Sequence, residues 1–168
     1  EGRELKRRAC HWYEAALPKL SGLSKTRTEQ RINSVKTEIV ELRPGILAEL
    51  FEGQDFDRKV NSRIDQQINW NWDLGSPDAA VSRDHFSIRW TGWLKAPEPG
   101  QYTLVVRSDD GARVWLDNKL VLDKWNPLQG PFTSAVELTG NAQALKIEYY
   151  EVTAPAFMYF KWIRTRVN

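Results

Sequence analysis

Residues 86–117 read Phe86-Ser-Ile-Arg-Trp-Thr-Gly-Trp-Leu-Lys-Ala-Pro-Glu-Pro-Gly-Gln-Tyr-Thr-Leu-Val-Val-Arg-Ser-Asp-Asp-Gly-Ala-Arg-Val-Trp-Leu-Asp117, and this stretch decides the fold. Phe86, Ile88 and Trp90 recur at every second position, as do Tyr102, Leu104 and Val106. That is the period that turns one face of a strand toward a core. Pro97, Pro99 and Gly100 mark the loop between the two runs. A third run, Ala112 to Leu116, follows Asp109-Asp110-Gly111 at once. Trp90 and Trp115 lie on these alternating patterns and are expected in the core, while Trp93 fits either face.

Outward from this block the chain continues as short apolar runs bounded by turn residues. Asp117-Asn118 is a hairpin candidate, and Asn126-Pro127, Gly130-Pro131 and Gly140-Asn141 mark loops. Regular strand spacing predicts a mainly β chain, an antiparallel β-sandwich rather than a parallel α/β sheet. Asn61 to Ala80 has no clear strand pattern and is expected as a long loop, the kind of segment that carries binding surfaces on a rigid sandwich. Residues 1–43 differ in kind. Leu5, Ala9, Trp12 and Ala16, and then Ile32, Val35, Ile39 and Leu42, fall at helical spacing. The pattern predicts two helices joined by a turn over Pro18 to Ser24, with Thr26 and Glu29 as a capping box for the second. Pro44-Gly45 ends the helical pattern. The expected organisation is a helical lead-in, or remnant of a longer protein, over residues 1–43, and a sandwich over 44–168.

The chain has 168 residues, 41% of them hydrophobic, enough for one full-sized core and a small appendage. The formal charge of +2 selects no class of partner. Residues 1–43 hold ten Lys and Arg against six acids, and residues 44–168 hold 14 against 16. So short a basic segment reads as a solvated helix face rather than a nucleic-acid surface. No apolar run approaches the roughly 20 residues of a membrane-spanning helix. The chain opens on Glu1 without a secretory signal and reads as a mature or excised fragment. Cys10 stands alone, which excludes an internal disulfide.

Asp109-Asp110-Gly111 admits two readings. Asp-Gly between β-type runs is a strong hairpin signal, because Asp and Gly tolerate the positive φ of a type I′ turn. On that reading Asp110 is only a turn residue. Successive side chains of a regular strand point to opposite faces, so the two carboxylates meet one ligand only if the corner is distorted or their peptide is cis. Two convergent carboxylates repel unless a cation lies between them. Ca²⁺ is the natural candidate, a hard ion that collects about six to eight oxygen ligands.

Several motifs in order resemble one family. Phe86 to Leu94, Pro99 to Leu104 and Ser108 to Asp117 are similar to the protective-antigen fourteen-kilodalton, or PA14, domain. Gly45 to Phe51 resembles its opening strand, Trp72 to Pro77 its early loop, and Leu120 to Trp125 and Leu145 to Glu151 its later strands, so the similarity spans about residues 45 to 164. The resemblance implies a β-sandwich module carried by glycosidases, adhesins, toxins and exported proteins, commonly associated with carbohydrate recognition. In lectin-like members the adjacent aspartates and a second loop hold Ca²⁺, which coordinates vicinal sugar hydroxyls. Asp109 and Asp110 match those aspartates, and the second loop is expected at Glu151 to Ala156. Glu151 stands where lectin-like members carry Asn, a departure that adds charge and a methylene. The implied metal ligands are Asp109, Asp110 and Glu151, and the implied setting is extracellular, periplasmic or cell-surface.

Eight tryptophans are many for this length, and aromatic faces stack on sugar C–H groups. Trp72 and Trp125 are the ligand-binding candidates beside Asp109 and Asp110, with Trp70 sharing the parity of Trp72. No enzyme is expected. His11 and His85 form no zinc motif, and no nucleophile elbow or phosphate loop is present. Glycoside hydrolysis needs two carboxyls about 5 to 9.5 Å apart flanking the scissile bond, which suits adjacent aspartates poorly. The expected function is a non-catalytic, calcium-dependent carbohydrate-binding module of a larger exported or cell-surface protein, with a glycan as partner and neither nucleic acid nor membrane span. The alternative is a structural or protein-interaction module without metal or sugar.

Overall fold

The computed structural model describes residue 9 and residues 12–41, 45–127, 129–153 and 155–165, the side chains of residues 35–41 excepted. Expectations for Leu5, Cys10, His11 and Leu42, and for the packing of Val35 and Ile39, lie outside the described residues. The chain divides into two compact units, Glu1–Pro44 and Gly45–Asn168.

In the first unit a helical run over residues 12–16 passes into a 3₁₀ turn, Leu17–Lys19, whose Pro18 lacks the N–H that a first turn does not use. Helix α1 spans Gly22–Glu41. It starts four residues before Thr26, so the expected capping box does not form. The Thr26 and Thr28 hydroxyls instead donate back to the Gly22 and Ser24 carbonyls, at 3.4 and 2.8 Å. Inside a helix a threonine hydroxyl has only such i−4 carbonyls within easy reach.

The second unit is a sandwich of two antiparallel sheets. Its strands are β1 (Ile46–Glu52), β2 (Arg58–Asp65), β3 (Asn69–Asp73), β4 (Phe86–Lys95), β5 (Gly100–Asp109), β6 (Ala112–Leu116), β7 (Lys119–Lys124), β8 (Phe132–Leu138), β9 (Ala142–Glu151) and β10 (Ala156–Arg164). The larger sheet runs β2-β1-β4-β9-β6-β7 and the smaller β3-β10-β5-β8. The core is built by the predicted alternation: Phe86, Ile88 and Trp90 from β4 face Tyr102, Leu104 and Val106 from β5, with Ile147, Tyr149 and Met158 filling between. Asp117 and Asn118 both take positive φ, so the β6–β7 hairpin forms as expected.

Three local expectations are corrected. Asn61 to Ala80 is not a long loop, since it holds the end of β2 and all of β3. Both are edge strands, and their exposed polar residues dilute the apolar alternation that marks a strand. Trp115 is not core. In β6 the inward positions are Ala112, Val114 and Leu116, and Trp115 lies on the outer face with the Lys146 ammonium 3.6 Å from its ring centroid. Asp110-Gly111 is not a hairpin turn. β5 and β6 belong to different sheets, and neither Asp110 nor Gly111 has positive φ. The corner carries the chain across the sandwich.

Candidate functional site

The crossing from β5 to β6 places two aspartates at one end of the sandwich, and the Asp109–Asp110 peptide is cis. Asp110 Oδ2 accepts the Val152 backbone N–H at 2.7 Å, from the segment that follows β9. Asp109 Oδ2 accepts from Gln129 Nε2 at 2.6 Å, from the loop between β7 and β8. The Asp110 N–H donates to the Tyr150 carbonyl at 3.3 Å, and the Gly111 carbonyl accepts the Tyr150 N–H at 3.1 Å. The corner is thus tied to β9 on one side and to the β7–β8 loop on the other. Asp110 meets the expected second loop, and Asp109 meets a different one.

Glu151 ends β9 on its inward face and is fully buried. The Tyr149 hydroxyl lies 2.9 Å from Glu151 Oε2 and also hydrogen-bonds the Asp109 backbone carbonyl. One phenolic proton serves one acceptor at a time, so a neutral Glu151 completes the chain of contacts. Burial pushes the Glu151 carboxyl up to about 8, and the charges of Asp110, Asp109 and Asp84 add to it against the Tyr149 hydrogen bond. Burial also raises the Asp110 carboxyl, with Asp109 adding to the rise and the Val152 N–H opposing it. The buried Tyr149 phenol is held above its ordinary range by burial and by Glu151. Asp109 and Asp110 are each only 8% exposed, and no Lys, Arg or His pairs with them or with Glu151 among the described residues. Glu151 Oε1 is buried without a partner among the described residues.

This donor set can serve a hard cation, since it is all oxygen and anionic. The same described residues contain no cluster of three or more His, Cys, Asp or Glu arranged as metal ligands. A metal here would be held by the aspartate pair with backbone or ligand oxygens.

The two tryptophan candidates part company. Trp72 is packed rather than displayed. It stacks on Trp70 at 6.0 Å and meets Phe86 and Tyr149 at 5.8 Å each, with its indole nitrogen buried and unpartnered. Trp70 donates to Asp65 Oδ2 at 3.2 Å and is likewise tied into the fold. Trp125 is near the corner and half-buried. Its ring lies 4.6 Å from Tyr150, Phe56 stacks on it at 6.0 Å, and the Arg113 guanidinium sits 4.4 Å above it. Tyr150 in turn covers Gly111, where a Cβ would fall 2.2 Å from the ring. Sequence reasoning missed Gln129 and Tyr149. Nothing in the Pro127–Gly130 stretch announces Gln129, which lies 20 positions from its partner. Tyr149 fits the alternation of β9 and reads only as core.

Fold and corner together define a β-sandwich module with an acidic loop end. Residues 42–168 match the family model of the PA14 domain, and the chain belongs to that family. Anti-sigma-I factor RsgI3 of Acetivibrio thermocellus is 32% identical over 120 residues, which cover 70% of this chain and 19% of that protein. The chain therefore spans about a fifth of that relative's length. An anti-sigma factor domain-containing protein from Clostridium clariflavum superposes with a TM-score of 0.71 at 30% identity, over 73% of this chain and 42% of the other. The epithelial adhesin 9 A domain from Candida glabrata, in complex with Galβ1-3GlcNAc, shares the fold at a TM-score of 0.61 and 10% identity, over 75% and 84% of the two chains.

Proposed function

We propose that this chain is a non-catalytic carbohydrate-binding module whose Asp109-Asp110 corner takes a calcium ion. The observation that supports it most is the gathering of three acids nearly shut off from solvent, with no basic partner among the described residues. Buried carboxylates in that position either keep a proton or take a cation. Asp109 and Asp110 would hold the ion, with Glu151 Oε1 as the open acceptor behind them. Bound calcium supplies coordination positions that neighbouring sugar hydroxyls can complete. Gln129 and the Val152 N–H orient the two carboxylates, and Trp125 offers an aromatic wall beside them.

The adhesin fold neighbour, which binds a disaccharide, favours a sugar as the ligand. The anti-sigma relatives, of which this chain matches only a part, favour a module of a longer polypeptide, which on this reading is exported or cell-surface. A second reading has its own support. Glu151 is turned inward and engaged by Tyr149, which suits a corner that only carries the chain between sheets of a structural or protein-interaction module.

Calorimetry separates the two. The wild-type chain is expected to give heat with calcium, and heat with uncharged glycans only when calcium is present. Asp110→Asn is expected to abolish both while the circular dichroism spectrum is kept. A folded wild-type chain that takes up neither ligand leaves the structural reading standing.

A further inference from the structure

The outer face of the smaller sheet carries a groove of about 350 Å³ that the corner does not use. It crosses three adjacent strands, β3, β10 and β5, and Asn69, Tyr159 and Arg107 stand in one row across them by strand register. Gln67, two residues before Asn69, also lines the groove, and Lys161 lies one step further along β10, opposite Val105. Diagonal neighbours on a sheet face sit about 7–8 Å apart, so Arg107 and Lys161 can reach a single ligand. A second depression of about 440 Å³ shares Gln67, Ile68, Phe160 and Lys161 with the first and continues to the half-exposed Trp93. The shared residues make the two depressions continuous, as an extended ligand requires.

The chemistry of this groove is one-sided. Arg107 and Lys161 line it, no carboxylate does, and neither cation has an ion pair among the described residues. Arg107 is exposed and steadied over two rings, 5.6 Å from Tyr159 and 5.9 Å from Phe157. The amides of Gln67 and Asn69 each offer a donor and an acceptor, the pairing that sugar hydroxyls satisfy. Over the row of Asn69, Tyr159 and Arg107, β10 is paired with β3 on one side and with β5 on the other, so an extended peptide finds a free ladder only past Tyr159. We infer that this groove is a calcium-independent binding site for a linear polysaccharide bearing carboxylates, such as a chain of uronic acids. The inference goes beyond the corner and does not need a metal there. Arg107 lies two residues before Asp109, so groove and corner are neighbours, and the test keeps them apart.

The experiment is affinity electrophoresis and calorimetry of the full chain in EDTA, with polygalacturonate as probe. Its methyl ester serves as the uncharged control and poly-glutamate as the acidic-peptide control. The wild-type chain is expected to bind polygalacturonate in EDTA, more weakly once ionic strength passes about 0.1 M, where charges are screened beyond about 10 Å. The methyl ester and poly-glutamate are expected to bind poorly. Arg107→Ala and Lys161→Ala should each weaken binding about tenfold, the loss of one hydrogen bond to a charged group. Both side chains are exposed, so the fold is expected to survive, and Arg107→Lys should keep part of the affinity. Asp110→Asn should leave binding in EDTA unchanged. Absence of binding by the wild-type chain in EDTA overturns the inference, as does binding that the Arg107 and Lys161 variants do not weaken. Equal binding of poly-glutamate overturns the glycan assignment.

Discussion

Asp65 and the group formed by Asp109, Asp110 and Glu151 are both buried acids in one sandwich, yet the fold treats them in opposite ways. Asp65 is fully engaged. Arg63 Nε donates to its Oδ1 at 2.8 Å, and the Trp90 and Trp70 indoles donate to its Oδ2 at 2.8 and 3.2 Å. Arg63 also lies 4.5 Å above the Trp70 ring, which binds β2, β3 and β4 into one knot. At the other group the contacts are hydrogen bonds from neutral donors, and no cation answers the charge among the described residues. A buried acid with a cation and indole donors is scaffolding. Buried acids that share one end of a sandwich without a cation are poised for something the chain does not itself supply.

The comparison is most sharply tested at Asp65. Asp65→Ala leaves Arg63 Nε and the buried Trp90 indole without their acceptor, while Arg63 Nη1 keeps the Pro77 carbonyl. Removing one partner of a buried pair costs about 3–5 kcal/mol, so urea melts should show a loss of that order. The same substitution should leave calcium uptake intact in whatever fraction remains folded. At the corner the expected sign is reversed. The Glu151 carboxyl is raised from its ordinary 4.5 to about 8 in the fold, so between those values the folded chain keeps a proton that the unfolded chain has released. Stability contributed by neutral Glu151 is full below about pH 4.5 and lost as pH rises through about 8, and Asp110 shifts in the same direction. Melts in EDTA from pH 5 to 9 should therefore show the wild type losing stability relative to Glu151→Gln. Parallel curves for the two proteins would mean that Glu151 is not neutral in the fold.

The same contrast marks what the sequence discloses. Core strands announce themselves because apolar burial imposes period two, and Phe86 to Trp90 and Tyr102 to Val106 carry it without interruption. Edge strands do not, because one side is unpaired and much of each strand meets water, which is why β2 and β3 read as loop. Trp115 follows the opposite parity to its apolar neighbours in β6, a signal that was present and outweighed by the size of the side chain. The aspartate pair was legible as a motif. Its surroundings were not, since Gln129, Tyr149 and the Val152 N–H reach it from distant segments whose approach depends on the packing of two sheets.

Gly111 gives the smallest and most local test. It has no unusual φ, so backbone freedom does not explain it. What it supplies is space: a Cβ there would lie 2.2 Å from Tyr150 Cε1 and 2.9 Å from Cζ, well inside contact distance. Tyr150 cannot simply swing aside, because Trp125 meets its ring at 4.6 Å and Phe56 backs Trp125. Gly111→Ala should therefore displace the Tyr150–Trp125 pair and cost about 1–3 kcal/mol, the usual penalty of overpacking. Because the displaced rings flank Asp110, the variant should also weaken the glycan binding proposed for the corner while leaving the Arg107–Lys161 groove unchanged. A crystal structure with Tyr150 in place and an unaltered melt would mean that the aromatic wall yields freely, which would remove it as a determinant of sugar orientation.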